Sequence, residues 1–310
     1  MRIYILSRNE ELYSTRRLVE EAKAKGWEVR VIDYLKCTIE IMKNELVINY
    51  EGKILPTPDA IIPRIGASRT FYGTAMVRHF EMMDVFSTSG NLAIARSRDK
   101  LRSLQVLSKN GVDMPKTIFA SNKSNAKDVI ALSGGAPLVL KILEGTQGVG
   151  VVLVDSEKAA KSVLDAFYGM EVNLLVQEFI EEAGGADIRA LVVNDEVVGA
   201  MKRQGAEGDF RSNLHQGGSA TAYKLSRKEK ATALAAAKAM GLGVCGVDMI
   251  PSKRGPLVME VNSSPGLEGI EKSTNINIAA KIMDFIEKSV KPKCPINPQK
   301  RKLKKDKIGA

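Results

Sequence analysis

Val244-Cys-Gly-Val-Asp-Met-Ile-Pro-Ser-Lys-Arg-Gly-Pro-Leu-Val-Met-Glu-Val-Asn-Ser-Ser-Pro-Gly266 holds two apolar runs around Ser252-Lys253-Arg254-Gly255. Such alternation about a glycine-containing turn reads as a β-hairpin. A three-residue loop of Lys253, Arg254 and a left-handed Gly255 pairs Ser252 with Pro256 and sets Asp248 opposite Glu260. Asn262 then shares their face, while Val247, Met249, Leu257, Met259 and Val261 fill the other. Two carboxylates about 4 Å apart repel by roughly 4 kcal/mol at an effective dielectric of about 20. A shared proton or a metal ion relieves this. Carboxylate and amide oxygens without His or Cys suit a hard cation such as Mg²⁺. They equally suit a solvated polar face, so the choice falls to the rest of the chain.

Immediately upstream, Arg227 to Met240 reads as a helix, and before it Ala200 to Gly218 is expected to be a polar, glycine-punctuated loop carrying Lys202, Arg203 and Arg211. Guanidinium groups there can hold phosphoryl or carboxylate oxygens bidentately, or simply keep a loop soluble. Asp187 to Val193 and Leu174 to Ile180 are strands, the latter ending in Gln177-Glu178. Gly145, Gly148 and Gly150 lie between two strands, unlike a Walker loop or a Rossmann turn, which run from strand into helix. A glycine-rich connection of this kind is either an ordinary hairpin loop or a flap whose N–H groups close on phosphates. Lys141 sits among Leu138, Val139, Leu140, Ile142 and Leu143, where a charge costs free energy unless an anion meets it. A single helix is expected over Ile94 to Asn110, and a closing amphipathic helix over Ile276 to Val290.

The first 95 residues open with strand Ile3 to Leu6, helix Glu11 to Lys25 and strand Glu28 to Ile32. Leu46 to Tyr50 and Ile54 to Leu55 make a small hairpin, Asp59 to Ile65 a buried strand and Thr70 to Met83 a helix. The first strand runs into Ser7-Arg-Asn-Glu-Glu, so a glycine-rich dinucleotide turn is excluded. The expected organisation is a small α/β domain (1–95), a central subdomain with the glycine flap (96–180), a subdomain bearing the carboxylates (181–290) and a tail (291–310).

Net charge over 310 residues is +10, but the last twenty carry eight Lys or Arg against Asp306, which leaves +3 for the remainder. A disordered basic arm able to touch rRNA by counterion release is expected there, and a solvated terminus without a partner fits as well. Cys37, Cys245 and Cys294 are too few and too scattered for a disulfide framework or a zinc site. No apolar run reaches the roughly 18 residues of a membrane span, and the N-terminus lacks a signal-peptide pattern, so a cytoplasmic protein is expected.

Lys141, the 145–150 glycines, Gln177-Glu178-Phe179, Asp187, Arg211-Ser212-Asn213, and Asp248 with Glu260 and Asn262 stand in an order that resembles the ATP-grasp ligases. The resemblance spans about 95 to 290 and implies an α/β (α+β) ATP-grasp fold preceded by a small Rossmann-like α/β domain. Pro63-Arg-Ile-Gly66, Asp99-Lys-Leu-Arg-Ser103, Glu207-Gly-Asp-Phe-Arg-Ser-Asn-Leu-His215 and Met259-Glu-Val-Asn-Ser-Ser-Pro-Gly266 are closer still to one branch. That branch adds L-glutamate to the C-terminus of the small-subunit ribosomal protein numbered six. The resemblance implies that Lys100 and Lys141 contact ATP phosphates, that Glu178 and Phe179 hold the adenine edge, that Gln177 also binds ATP, and that Asp187 binds ribose. It further implies that Arg211, Ser212 and Asn213 line the reaction centre, with Arg211 and Arg203 stabilising developing charge. Asp248, Glu260 and Asn262 are implied to bind two Mg²⁺, replaceable by Mn²⁺, and the family suggests a homotetramer. His215 lies in a matching string, where packing and catalysis fit equally; the tail after Lys291 has no counterpart. Rival readings are a ligase joining glutamate to a small molecule or to free glutamate, and a non-catalytic ATP-binding module that docks on ribosomes.

Overall fold

The computed structural model describes residues 1–121, 123–143, 150–206 and 217–290. Gly145, Gly148, Arg211, Ser212, Asn213, His215, Cys294 and the basic tail lie outside the described residues. Packing divides the chain into two units: Met1–Leu92 together with residues from Ala279 onward, and Ala93–Ile278.

The first unit opens with β1 (Arg2–Leu6), α1 (Tyr13–Ala24) and β2 (Glu28–Ile32). It continues through β3 (Cys37–Met42), β4 (Glu45–Tyr50), β5 (Lys53–Ile54), β6 (Ala60–Pro63), α2 (Thr70–Met82) and β7 (Phe86–Ser87). Ile3 to Leu6 are fully buried on both faces, as a central strand of a parallel sheet requires; the order is β2-β1-β6-β7, every pairing parallel. The anticipated hairpin gains a partner: β3 pairs antiparallel with β4 along its whole length. Helix α2 lies so close to the chain after β6 that a Cβ on Gly73 would fall 2.4 Å from Ile65.

The closing helix, Ile278–Ser289, groups from Ala279 on with this unit, although residues 181–290 were expected to form one subdomain. Lys25 binds its Asp284 (2.9 Å) and Glu287 (2.6 Å), and Phe285 meets Phe86 edge to face at 5.6 Å. An amphipathic pattern says that a helix has an apolar side, not which surface covers it.

In the second unit α3 (Asn91–Arg98) and α4 (Lys100–Lys109) replace the single expected helix. Asp99 is extended between them, and its carboxylate accepts the Arg102 N–H at 2.9 Å, so a new helix starts where the old one ends. Then come β8 (Thr117–Ala120), α5 (Ala126–Ser133), β9 (Leu138–Ile142), β10 (Val151–Val154), α6 (Glu157–Gly169) and β11 (Leu174–Glu178). The four strands form an antiparallel sheet in the order β10-β9-β11-β8. Leu138, Leu140, Leu174 and Val176 pack into one core with Val129, Ile130 and Leu164 of the two helices. Alternation therefore turns Lys141 and Gln177 to the other face.

The chain ends its second unit with β12 (Ala186–Val193), β13 (Glu196–Gln204), β14 (Ser219–Ala222), α7 (Arg227–Met240), β15 (Val244–Ile250), β16 (Leu257–Asn262) and α8 (Glu268–Thr274). These strands order as β14-β13-β12-β15-β16, all antiparallel. Ser226 and Glu229 close a reciprocal capping box on α7. Ile188, Ala190, Val192, Cys245, Val247 and Met249 make the buried face of this sheet. Among the described residues, no helix is long and apolar enough to cross a membrane.

Candidate active site

Asp248 does pair with Glu260, but by another route than a three-residue loop. Ser252 and Gly255 exchange both backbone hydrogen bonds (3.2 and 2.9 Å), which leaves a two-residue turn of Lys253 and Arg254. Ile250 then faces Leu257, and Met249 faces Val258. Continued unbroken, that register would oppose Glu260 to Val247 and bury its carboxylate on the apolar face. A bulge after Asp248 inserts Met259 as the extra residue and restores Glu260 to the side of Asp248. Val258 accordingly takes the fully buried place expected of Met259, which is only partly buried.

Register carries the same face across the sheet. Asp187 opposes Arg203, Arg189 opposes Asp248, and Asp248 opposes Glu260. The repulsion anticipated between the two carboxylates is answered by arginine. Arg189 holds Asp248 as a fork, Nε to Oδ1 at 2.6 Å and Nη2 to Oδ2 at 2.5 Å. Arg203 does the same to Asp187, with Nε to Oδ1 at 2.6 Å and Nη2 on Oδ2, and reaches Asp248 Oδ2 at 3.0 Å. Burial pushes the Asp248 carboxyl up, but Arg189 and then Arg203 overcome it and hold Asp248 well below the usual carboxylate range. Glu260, though reached by solvent, is crowded by protein; desolvation first, then the Asp248 charge, raise its carboxyl above the ordinary value. Arg203, expected at the reaction centre, is thus 4% exposed and paired; Asp187, expected at the ribose, is 2% exposed with both oxygens on Arg203.

Asp248, Glu260 and Asn262 fit a hard divalent cation by their chemistry: each offers oxygen, and the Asn262 Oδ1 is oriented by the Ser264 N–H at 2.9 Å. Among the described residues no cluster of three or more His, Cys, Asp or Glu forms a metal centre of another type. Gly246, opposite Asn262 in the register, lies against Pro265, where a Cβ would stand a tight 3.1 Å away; from Arg189 Nε it would stand 3.6 Å, an ordinary contact.

On the other sheet, Lys141 Nζ donates to Gln177 Oε1 at 2.6 Å, and Gln177 Nε2 donates to the Thr117 hydroxyl at 2.8 Å. The direct partner is a neutral amide, so desolvation prevails and lowers the Lys141 ammonium to about 8, against the opposing charge of Glu260. Lys100 Nζ donates to the carbonyl of Leu143, the last described residue before 144–149, at 2.7 Å. At position 150, where the described chain resumes, glycine is required twice over. Its φ is +74°, and a Cβ would fall 2.3 Å from Ile142. Glu178 accepts the Lys116 N–H at 2.7 Å and the Arg254 guanidinium, while Phe179 follows it partly buried. Cys37 and Cys245 are buried, and burial raises both thiols to about 12, so neither is a ready nucleophile.

Residues 97–286 match the RimK-like ATP-grasp domain, and residues 1–94 match the RimK PreATP-grasp domain. The chain belongs to the RimK-like ATP-grasp family. A protein of Saccharophagus degradans named "Probable alpha-L-glutamate ligase" is 61% identical over 292 residues, 94% of this chain and 97% of that one. A Vibrio vulnificus protein of the same name is 62% identical over 292 residues, with the same coverage. Among solved structures, the ATP-grasp ligase PsnB, complexed with a phosphomimetic variant of its minimal precursor, Mg and ADP, superposes with a TM-score of 0.72. It is 19% identical and covers 94% of this chain and 98% of its own, a likeness of fold. This RimK-like ATP-grasp chain is a carboxylate–amine ligase of the ADP-forming class, and its family uses ATP with Mg²⁺.

Arg189 is the site residue that the sequence reading passed over. Its signal was two positions from Asp187 in an otherwise apolar strand, hence on the same face. Lys116 and Arg254 on Glu178 carried no such signal.

Proposed function

We propose that the chain joins the amine of L-glutamate to the C-terminal carboxylate of the small-subunit ribosomal protein numbered six, using ATP. The acceptor carboxylate attacks the γ-phosphate, giving an acylphosphate and ADP; the glutamate amine then displaces phosphate and leaves an amide. Lys141 and Lys100 grip the phosphates, and Glu178 and Phe179 sit at the adenine edge. Asp187 binds the ribose, Gln177 is a further contact to ATP, and Ser212 and Asn213 line the phosphates. Arg203 and Arg211 stabilise charge that grows on the phosphoryl group and on the tetrahedral oxygen. Mg²⁺ held by Asp248, Glu260 and Asn262 supplies charge neutralisation at the phosphates when bound. Gly145, Gly148 and Gly150 let the flap close, which keeps water from an acylphosphate it would hydrolyse.

The observation that carries this reading is Lys141, a cation lowered to about 8 beside a neutral amide, on a face that shares its electrostatics with Glu260. Such a lysine gains most from an incoming polyanion. Glutamate is supported by the names of relatives about 61% identical over nearly the whole chain. The test is incubation with ATP, Mg²⁺ and labelled glutamate, with and without the ribosomal protein, followed by intact-mass measurement. Glutamate-sized increments on the ribosomal protein are expected. Label appearing only in free glutamate chains would move the acceptor to glutamate itself, and no ADP release with any acceptor would leave a binding module.

A further inference from the structure

Two arginines reach Asp248, and they are not equivalent. Arg203 spends its fork on Asp187 and touches Asp248 through a single 3.0 Å contact, with its side chain only 5% exposed. Arg189 directs both of its bonds to Asp248, is 14% exposed, and has the bare backbone of Gly246 beside its Nε and Cδ. The Asp248 oxygens already accept two guanidinium hydrogen bonds from Arg189 and a 3.0 Å ion-pair contact from Arg203, where a carboxylate has about four acceptor positions in all. A divalent ion using Asp248 must therefore settle beside a fixed positive charge or dislodge it.

We propose that Arg189 is a positioning residue that competes with the divalent cation for Asp248. It holds the carboxylate in register and neutral in net charge, and gives up part of its fork when the cation arrives. Its freed N–H groups then face the site, where they can take an anionic oxygen of a substrate. Cation loading and capture of a substrate anion are thereby coupled through one side chain. The inference rests on Asp248 being a metal ligand, as proposed above.

The direction of the effect separates this from a purely structural role. If Arg189 only braced the sheet, its removal would loosen Asp248 and weaken cation binding. If it competes, its removal strengthens binding, because the row Arg203, Asp187, Arg189, Asp248, Glu260 loses one positive charge next to the ion. The test is Mn²⁺ binding to the full chain without nucleotide, read from the electron-spin-resonance signal of the free ion. Thermal unfolding confirms that each variant is folded. Arg189→Met is expected to bind Mn²⁺ roughly tenfold tighter, and Arg189→Lys, which keeps the charge, close to wild type. Arg189→Gln, neutral yet able to hydrogen-bond Asp248, carries the same expectation should the methionine variant not fold. Asp248→Asn is expected to bind at least about tenfold more weakly, since a direct charged ligand is lost. Unchanged or weaker binding in the neutral Arg189 variants, with Asp248→Asn impaired, would overturn the competition alone. Undiminished binding in Asp248→Asn would remove the metal assignment beneath it.

Discussion

Replacing Lys141 by Met separates what this lysine costs the fold from what it does for ATP. Burial lowers its ammonium from 10.5 to about 8. At about 1.4 kcal/mol per unit, holding that charge at pH 7 costs the folded chain about 3 kcal/mol, an upper value because solvent still reaches part of the side chain. Methionine fills a similar volume without charge but leaves Gln177 Oε1 without its 2.6 Å donor, which takes back about 1 to 2 kcal/mol. Lys141→Met should therefore be more stable than wild type by about 1 to 2 kcal/mol, a rise of a few degrees in midpoint. Between pH 8 and 10.5 the unfolded chain holds a proton that the folded chain has released. Stability of the wild type thus rises with pH across that window by about 1.4 kcal/mol per unit, so the variant's advantage vanishes about one unit above pH 8 and reverses by 10.5, where only the lost Gln177 bond remains. With ATP the ranking reverses: losing a charge-assisted bond to phosphate, about 1.5 to 3 kcal/mol, weakens ATP roughly 10- to 100-fold. Thermal unfolding at several pH values, with and without ATP, reads all of this. A variant less stable than wild type at pH 7 that keeps its ATP-induced shift would refute both the burial argument and the phosphate role.

Glu260→Ala should abolish ATP-dependent glutamate addition while leaving the unfolding midpoint near wild type, because its carboxylate is solvent-reached and raised rather than relied on for stability. Arg203→Met strands Asp187 at 2% exposure without its counter-ion, so urea unfolding should show a loss of about 3 to 5 kcal/mol. Gly150→Val sets side-chain atoms against Ile142 and into a left-handed φ; about 2 to 3 kcal/mol of stability should go, measured by the same unfolding series.

Much of the hairpin's chemistry was legible because it is local. Apolar residues two apart announce strands, and an Asp, a Glu and an Asn on the remaining parity announce an oxygen-lined face, wherever the strand is placed. The pairing of Asp248 with Glu260 was reached from a loop of the wrong length, and the error was cancelled by the bulge at Met259. Turn length depends on φ and ψ at Lys253 and Arg254, which residue types constrain weakly. The break at Asp99 was hidden for a similar reason: apolar spacing runs on through a helix pair, and only the carboxylate capping Arg102 N–H tells that one helix has stopped.

What residue order alone determined, then, was composition of faces: which side chains are apolar, which carry oxygen, and at what period they recur. Partnership needed three dimensions. Arg189 and Asp248 are 59 positions apart and meet because β12 and β15 are neighbours; Lys25 and Glu287 are 262 apart and meet because the closing helix lies on the first unit. A charge written in the chain has no partner until strands are ordered, and it is the partner that sets whether Asp248 is neutralised and Lys141 is left wanting an anion.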